Sequence, residues 1–170
     1  MIFLPLLAAA VLAQDLPSDP LAPVQYGQVQ CYSPDAATKT CNSIARYTPN
    51  SGGYTNTATI LLSSRPAVTM TTSTQVQVRD GAVCGTLRDE DIEAAKVKVD
   101  GRGLSSGEAS LVVSAVADAV NDYVGQEICT TYVAAGDGLT AKASVQGTPQ
   151  PELDQPVIWV SPSDGYKVAP

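Results

Sequence analysis

Residues 101–129 read GRGLSSGEASLVVSAVADAVNDYVGQEIC: a glycine-rich loop, a stretch with helical period, and a cysteine. Ser105 and Glu108 stand in the S-x-x-E relation, in which each side chain satisfies an orphan backbone N–H at a helix start. At about 100° per residue, Val112, Val113, Val116, Ala117, Val120, Tyr123 and Val124 share one apolar arc, with Ser114, Asp118, Asn121 and Asp122 opposite. Valine is a poor helix former, because its branched Cβ crowds the preceding turn. Asp118 and Asp122 repel at i,i+4, and late carboxylates oppose the helix dipole. Local preference therefore does not hold this helix, and burial of its valine face must.

The rest of the chain reads as strand. Ala58, Ile60 and Leu62 alternate with Thr57, Thr59 and Leu61. Beyond Arg65-Pro66, Val68, Met70, Thr72, Thr74, Val76 and Val78 alternate with Thr69, Thr71, Ser73, Gln75, Gln77 and Arg79, the period of half-buried antiparallel strands. Asp80-Gly81 marks a hairpin. A two-residue loop would pair Val78 with Val83 and leave Cys84 on the polar face beside Gln77. A three-residue loop, Arg79-Asp80-Gly81, pairs Val76 with Cys84 and puts the cysteine on the apolar face, within reach of a cysteine at the helix end. The three-residue loop is the one expected. Residues 95–99 alternate again, and residues 128–135 and 139–145 flank Gly136-Asp137-Gly138 as a second hairpin. The expected fold is α+β: an antiparallel sheet of about six to eight strands with one helix, near 105–125, packed on one face.

Residues 1–13, MIFLPLLAAAVLA, are apolar, too short to span a membrane and end in small residues, as a secretory signal does. Residues 14–23 carry prolines at positions 17, 20 and 23, the spacing of an extended tether. Residues 24–170 then form one domain. In an exported chain four cysteines form two disulfides, and the expected pairs are Cys31–Cys41, a local clasp, and Cys84–Cys129. The chain-entropy relation gives them about 2.7 and about 4 kcal/mol. Periplasmic or secreted location follows, with no transmembrane anchor after signal cleavage.

The chain has no histidine, which removes Ser-His-Asp and Cys-His catalysis and histidine-bound zinc or haem. Its net charge of −7, without a basic cluster, disfavours nucleic acid. The glycines at 101, 103 and 107 resemble a variant of the Rossmann phosphate loop. The strand before them alternates Lys96 and Lys98 with valines, however, and no βαβ series exists, so no cofactor is expected. Simple anion binding by Arg102, Gly103, Ser105 and Ser106 at the helix start is the residual candidate. Asp89, Glu90 and Asp91 are the candidate metal ligands, although they lack the D-x-D-x-D-G spacing of a dedicated calcium loop. The scattered tyrosines suit the half-buried margin of a small core.

No catalytic residue can be assigned. The expected role is a non-enzymatic exported or envelope-associated domain that binds a protein or a glycan. The alternative is a hydrolase of polysaccharide or peptidoglycan using two carboxylates from Asp89, Glu90, Asp91, Glu108, Asp118, Asp122 and Asp137.

Overall fold

The computed structural model describes residues 19–170, so the signal segment 1–13 and most of the tether lie outside the described residues. The strands are β1 (Val29–Tyr32), β2 (Thr40–Cys41), β3 (Ser43–Asn50), β4 (Gly53–Ser64), β5 (Ala67–Arg79) and β6 (Ala82–Thr86). Helix α1 (Asp89–Glu93), strands β7 (Lys96–Val99) and β8 (Arg102–Gly103) and helix α2 (Ser106–Val120) follow. The chain ends with β9 (Glu127–Ala135), β10 (Gly138–Val145), β11 (Thr148–Pro149), β12 (Gln155–Val160) and β13 (Lys167–Val168).

Eight of these strands close a ring. β1, β3, β4, β5, β6, β9, β10 and β12 each pair antiparallel with the next, and β12 returns to pair with β1. The domain is a closed up-and-down β-barrel, and the expectation of an open α+β sheet packed on a helix is wrong. Period-two alternation defines two faces but does not say whether the sheet curls until its edges meet. Nor is the helix held by burial of its valine face on the sheet. α2 contains no buried residue and lies outside the ring, against α1 and β7. Its start follows the sequence reading, since the Glu108 carboxylate accepts the backbone N–H of Ser105 at 3.1 Å.

The hairpin register also differs from expectation. Asp80 and Gly81 both have positive φ, at 49° and 76°, and form a two-residue loop that pairs Val78 with Val83 and Gln77 with Cys84. Two left-handed residues in succession match the right-handed twist of the flanking strands. Cys84 therefore faces outward, directly opposite Cys129 of β9. Both expected disulfides are present, but Cys84–Cys129 ties two neighbouring strands on the outer wall rather than a strand to the helix end.

Register then sorts every barrel residue. Along β1, Gln30 and Tyr32 point inward. Val29 and Cys31 point outward, into a small satellite core with Cys41, Val160, Ile44, Ile158 and Tyr166. That core is held by the Cys31–Cys41 bridge and by β13, which pairs parallel to β2. On β4 and β5 the outer face is a hydroxyl ladder, with Thr59 to Thr71 at 2.8 Å and Thr57 to Ser73 at 3.0 Å. A lipid-facing barrel carries an apolar band on that face, and this one is polar. Among the described residues no helix is long and apolar enough to cross a membrane.

One end of the barrel gathers the start of β1, the β3–β4, β5–β6 and β9–β10 hairpins and the end of β12. The segment before β1 lies across this end. Asp19 accepts the N–H of Leu21 at 2.9 Å, and a 3-10 turn runs over Ala22–Tyr26. Leu21, only 1% exposed, joins the barrel core of Ala45, Tyr47, Val76 and Val83. From Asp19 onward, then, the expected tether is docked chain.

Candidate functional site

The barrel interior holds a polar cluster built by three strands. Gln30 on β1 is completely buried. Its amide oxygen accepts the hydroxyls of Tyr32 at 2.8 Å and of Tyr47, on β3, at 2.9 Å. Tyr132, on β9, brings its hydroxyl to 3.2 Å from the same oxygen and to 3.0 Å from the Tyr32 hydroxyl. An amide oxygen has two lone pairs, which Tyr32 and Tyr47 fill, so Tyr132 is best served by donating to the Tyr32 oxygen. Burial, followed by the nearby Tyr132, pushes the Tyr32 phenol well above its ordinary value, and burial followed by Tyr32 and Tyr132 does the same to Tyr47. These two groups are therefore fixed as protonated hydroxyls. Trp159 flanks the cluster, its ring 6.5 Å from that of Tyr47.

Beside the cluster, toward the end away from Leu21, lies a cavity of about 210 Å³. Tyr32, Tyr47 and Tyr132 form part of its wall, with Asn56 and Thr74 adding polar groups. Thr130 adds a further hydroxyl, Val76, Val83, Leu87 and Ile128 make the apolar part, and no Asp, Glu, Lys or Arg lines it among the described residues. Gly85, also on the wall, keeps β6 close to β5. A Cβ there would stand 2.8 Å from the Val76 side chain and 2.9 Å from the Gln75 carbonyl. An eight-stranded barrel has room either to fill with side chains or to hold one small ligand. Side chains fill part of this interior and leave the cavity of about 210 Å³ beside them.

Among the described residues, the buried Gln30 Nε2 and Asn56 Oδ1 have no protein partner. Each such group costs about 1–3 kcal/mol unless something satisfies it. Sequence reading placed the tyrosines at the margin of the core and gave Gln30 and Asn56 no role. The available signal was Gln30 and Tyr32 alternating with Val29 and Cys31, polar residues on an inward face.

The sequence-derived candidates lie elsewhere and do not converge. Asp89, Glu90 and Asp91 form the first turn of α1. There Arg88 reaches Glu90 at 3.1 Å and Asp91 at 3.0 Å, filling the place a cation would take. The bond to Asp91 also raises the Arg88 pKa further. Arg102 and Gly103 are the exposed edge strand β8. The anion at the start of α2 is the chain's own Glu108, whose carboxyl is held below its ordinary value by hydrogen bonds from Ser105. Ser105 and Ser106 are thus exposed parts of a closed cap. Glu108, Asp118, Asp122 and Asp137 are also exposed. Asp89 lines a groove between α1 and α2, with Glu93 one turn away. Cys84, Glu127 and Cys129 converge as metal ligands do, but the two sulfurs are bonded to each other and Glu127 pairs with Arg79.

No family model matches the chain, and neither a curated protein nor a solved structure matches it.

Proposed function

We propose that this is an exported binding protein whose barrel takes up one small uncharged molecule. The observation that carries the reading is the partnerless Asn56 Oδ1 on the wall of a cavity that no charged residue lines among the described residues; the other partnerless atom, Gln30 Nε2, lies in the adjoining tyrosine cluster and not on that wall. Natural interiors satisfy buried polar groups, and a bound molecule is one way to do so. Binding rather than catalysis is favoured because burial keeps the Tyr32 and Tyr47 phenols protonated, where neither can act as a base. Periplasmic or secreted residence is supported by the signal-like residues 1–13 and by two disulfides, which persist in oxidising compartments.

The test is a screen of uncharged small compounds against the isotope-labelled mature protein by NMR. Shifts concentrated at Tyr32, Tyr47, Asn56, Thr74 and Ile128 are expected. Shifts confined to the outer Thr57–Ser73 and Thr59–Thr71 ladder, or none anywhere, would refute interior binding. Fractionation of the expressing cells should recover a chain beginning at Gln14, and recovery of uncleaved cytoplasmic protein would refute export.

A further inference from the structure

Resting on interior binding, we infer the chemistry of the ligand: an uncharged hydrogen-bond donor carried on a compact apolar body, in the class of simple phenols and alcohols. The first ground is the state of the polar wall. Tyr32 and Tyr47 already spend their hydroxyl protons on Gln30 Oε1, and the Tyr132 hydroxyl lies within reach of both that oxygen and Tyr32. What the phenols still offer the cavity is oxygen lone pairs. Asn56 adds Oδ1, a buried acceptor without a donor. The Thr74 and Thr130 hydroxyls on the same wall can donate or accept, so the wall's one fixed unmet need is that of the Asn56 acceptor, and its complement is an O–H or N–H.

The second ground is charge. Among the described residues the wall has no carboxylate to balance an ammonium group and no Lys or Arg to balance a carboxylate. The cavity opens to solvent on one side, so an ion entering it gives up part of its hydration with no counter-charge beside it, and a neutral donor is favoured over either ion. Nor can the phenols themselves supply a counter-charge, since Tyr32 and Tyr47 stay protonated.

The third ground is size and shape. The cavity is about 210 Å³, against about 150 Å³ for an apolar protein cavity that takes benzene. That admits roughly a substituted ring. Val76, Val83, Leu87 and Ile128 give such a body an apolar surface to lie against. Asn56 and Tyr47 are cross-strand partners, which puts two of the acceptors side by side for one donor to reach.

The experiment compares matched probes on the whole mature protein by NMR titration: 4-methylphenol, its methyl ether, benzoate and benzylammonium. The ether keeps the apolar body and removes the donor. We expect 4-methylphenol to shift the cavity residues, the ether to bind about tenfold more weakly, and the two ions to leave those residues unmoved. Asn56→Leu, checked for folding by circular dichroism, should remove most of the preference for the phenol over the ether. If it does not fold, the matched pair on the wild-type chain still decides. Equal binding of phenol and ether would overturn the donor class while leaving interior binding intact. Preferential binding of either ion would also overturn it. Should no probe and no library compound move the cavity residues, interior binding fails as well.

Discussion

Tyr47 donates its hydroxyl to the amide oxygen of Gln30 at 2.9 Å inside the barrel, across the neighbouring strands β3 and β1. Gln30 is wholly buried and Tyr47 is 5% exposed, so the bond is shielded from bulk water. Gln30→Leu leaves the Tyr32 and Tyr47 hydroxyls without their shared acceptor and should cost about 1–3 kcal/mol. Tyr47→Phe introduced into the Gln30→Leu background should cost less than Tyr47→Phe alone, because the lost partner is already gone. Urea unfolding midpoints of the four chains check this, and strictly additive losses would show that the two residues are not coupled.

Tyr32 and Tyr47 together set an alkaline limit. Burial raises the folded pKa of Tyr32 and Tyr47 above the unfolded value of 10.0. Between those values the unfolded chain releases protons that the folded chain retains. Their contribution is therefore fully present below about pH 10 and is lost as pH rises through the folded values. Unfolding midpoints should fall on raising pH above 10, with the last tyrosinate absorbance appearing together with unfolding. Tyr47→Phe should reduce the steepness of that fall. Tyrosinate absorbance that reaches completion while the barrel is still folded would contradict the assignment.

Much of this molecule is legible as strands and little of it as a ring. The alternation of Val68 through Arg79 identifies β5 and both its faces, and Asp80-Gly81 identifies the turn. The register differs because the expected three-residue loop puts Cys84 on the apolar face, within reach of a cysteine at the end of a helix packed there. In the barrel Cys84 and Cys129 meet on the outer wall, opposite each other across two strands. The helix shows the same limit. Its period is correct, yet its valines are only half-buried because α1 and β7, rather than a sheet face, lie beneath them. The interior cluster was out of reach for a different reason. Gln30 and Tyr132 are separated by 102 residues, and only ring closure brings them to 3.2 Å.

Leu21 precedes the first strand in a segment that sequence composition assigns to a tether, yet it is 1% exposed and joins the barrel core. Leu21→Ala should therefore destabilise the protein by about 2–5 kcal/mol, as deletion of a buried leucine side chain does elsewhere. Tyr26, at the end of the 3-10 turn that follows Leu21, is 78% exposed. Tyr26→Ser should stay within about 0.5 kcal/mol of the parent. Thermal melts of the two variants side by side give the comparison, and an equal, small effect would place Leu21 outside the core.

Cys84 and Cys129 close a loop with a sequence separation of 45 that contains α1, β7, β8 and α2. Chain-entropy arithmetic gives the bridge about 4 kcal/mol, through restriction of the unfolded chain. Both cysteines face outward, and Arg79 lies beside Cys129 while pairing with Glu127. Replacing both with Cys84→Ser and Cys129→Ser should lower the unfolding free energy by about that amount. Because the inward neighbours Val83, Gly85, Ile128 and Thr130 keep their places, the folded variant should bind cavity probes with unchanged affinity. Unfolding curves and probe titration on the same preparation separate the two effects. A variant that folds but loses probe binding would show that the outer bridge, and not the inward residues alone, shapes the cavity.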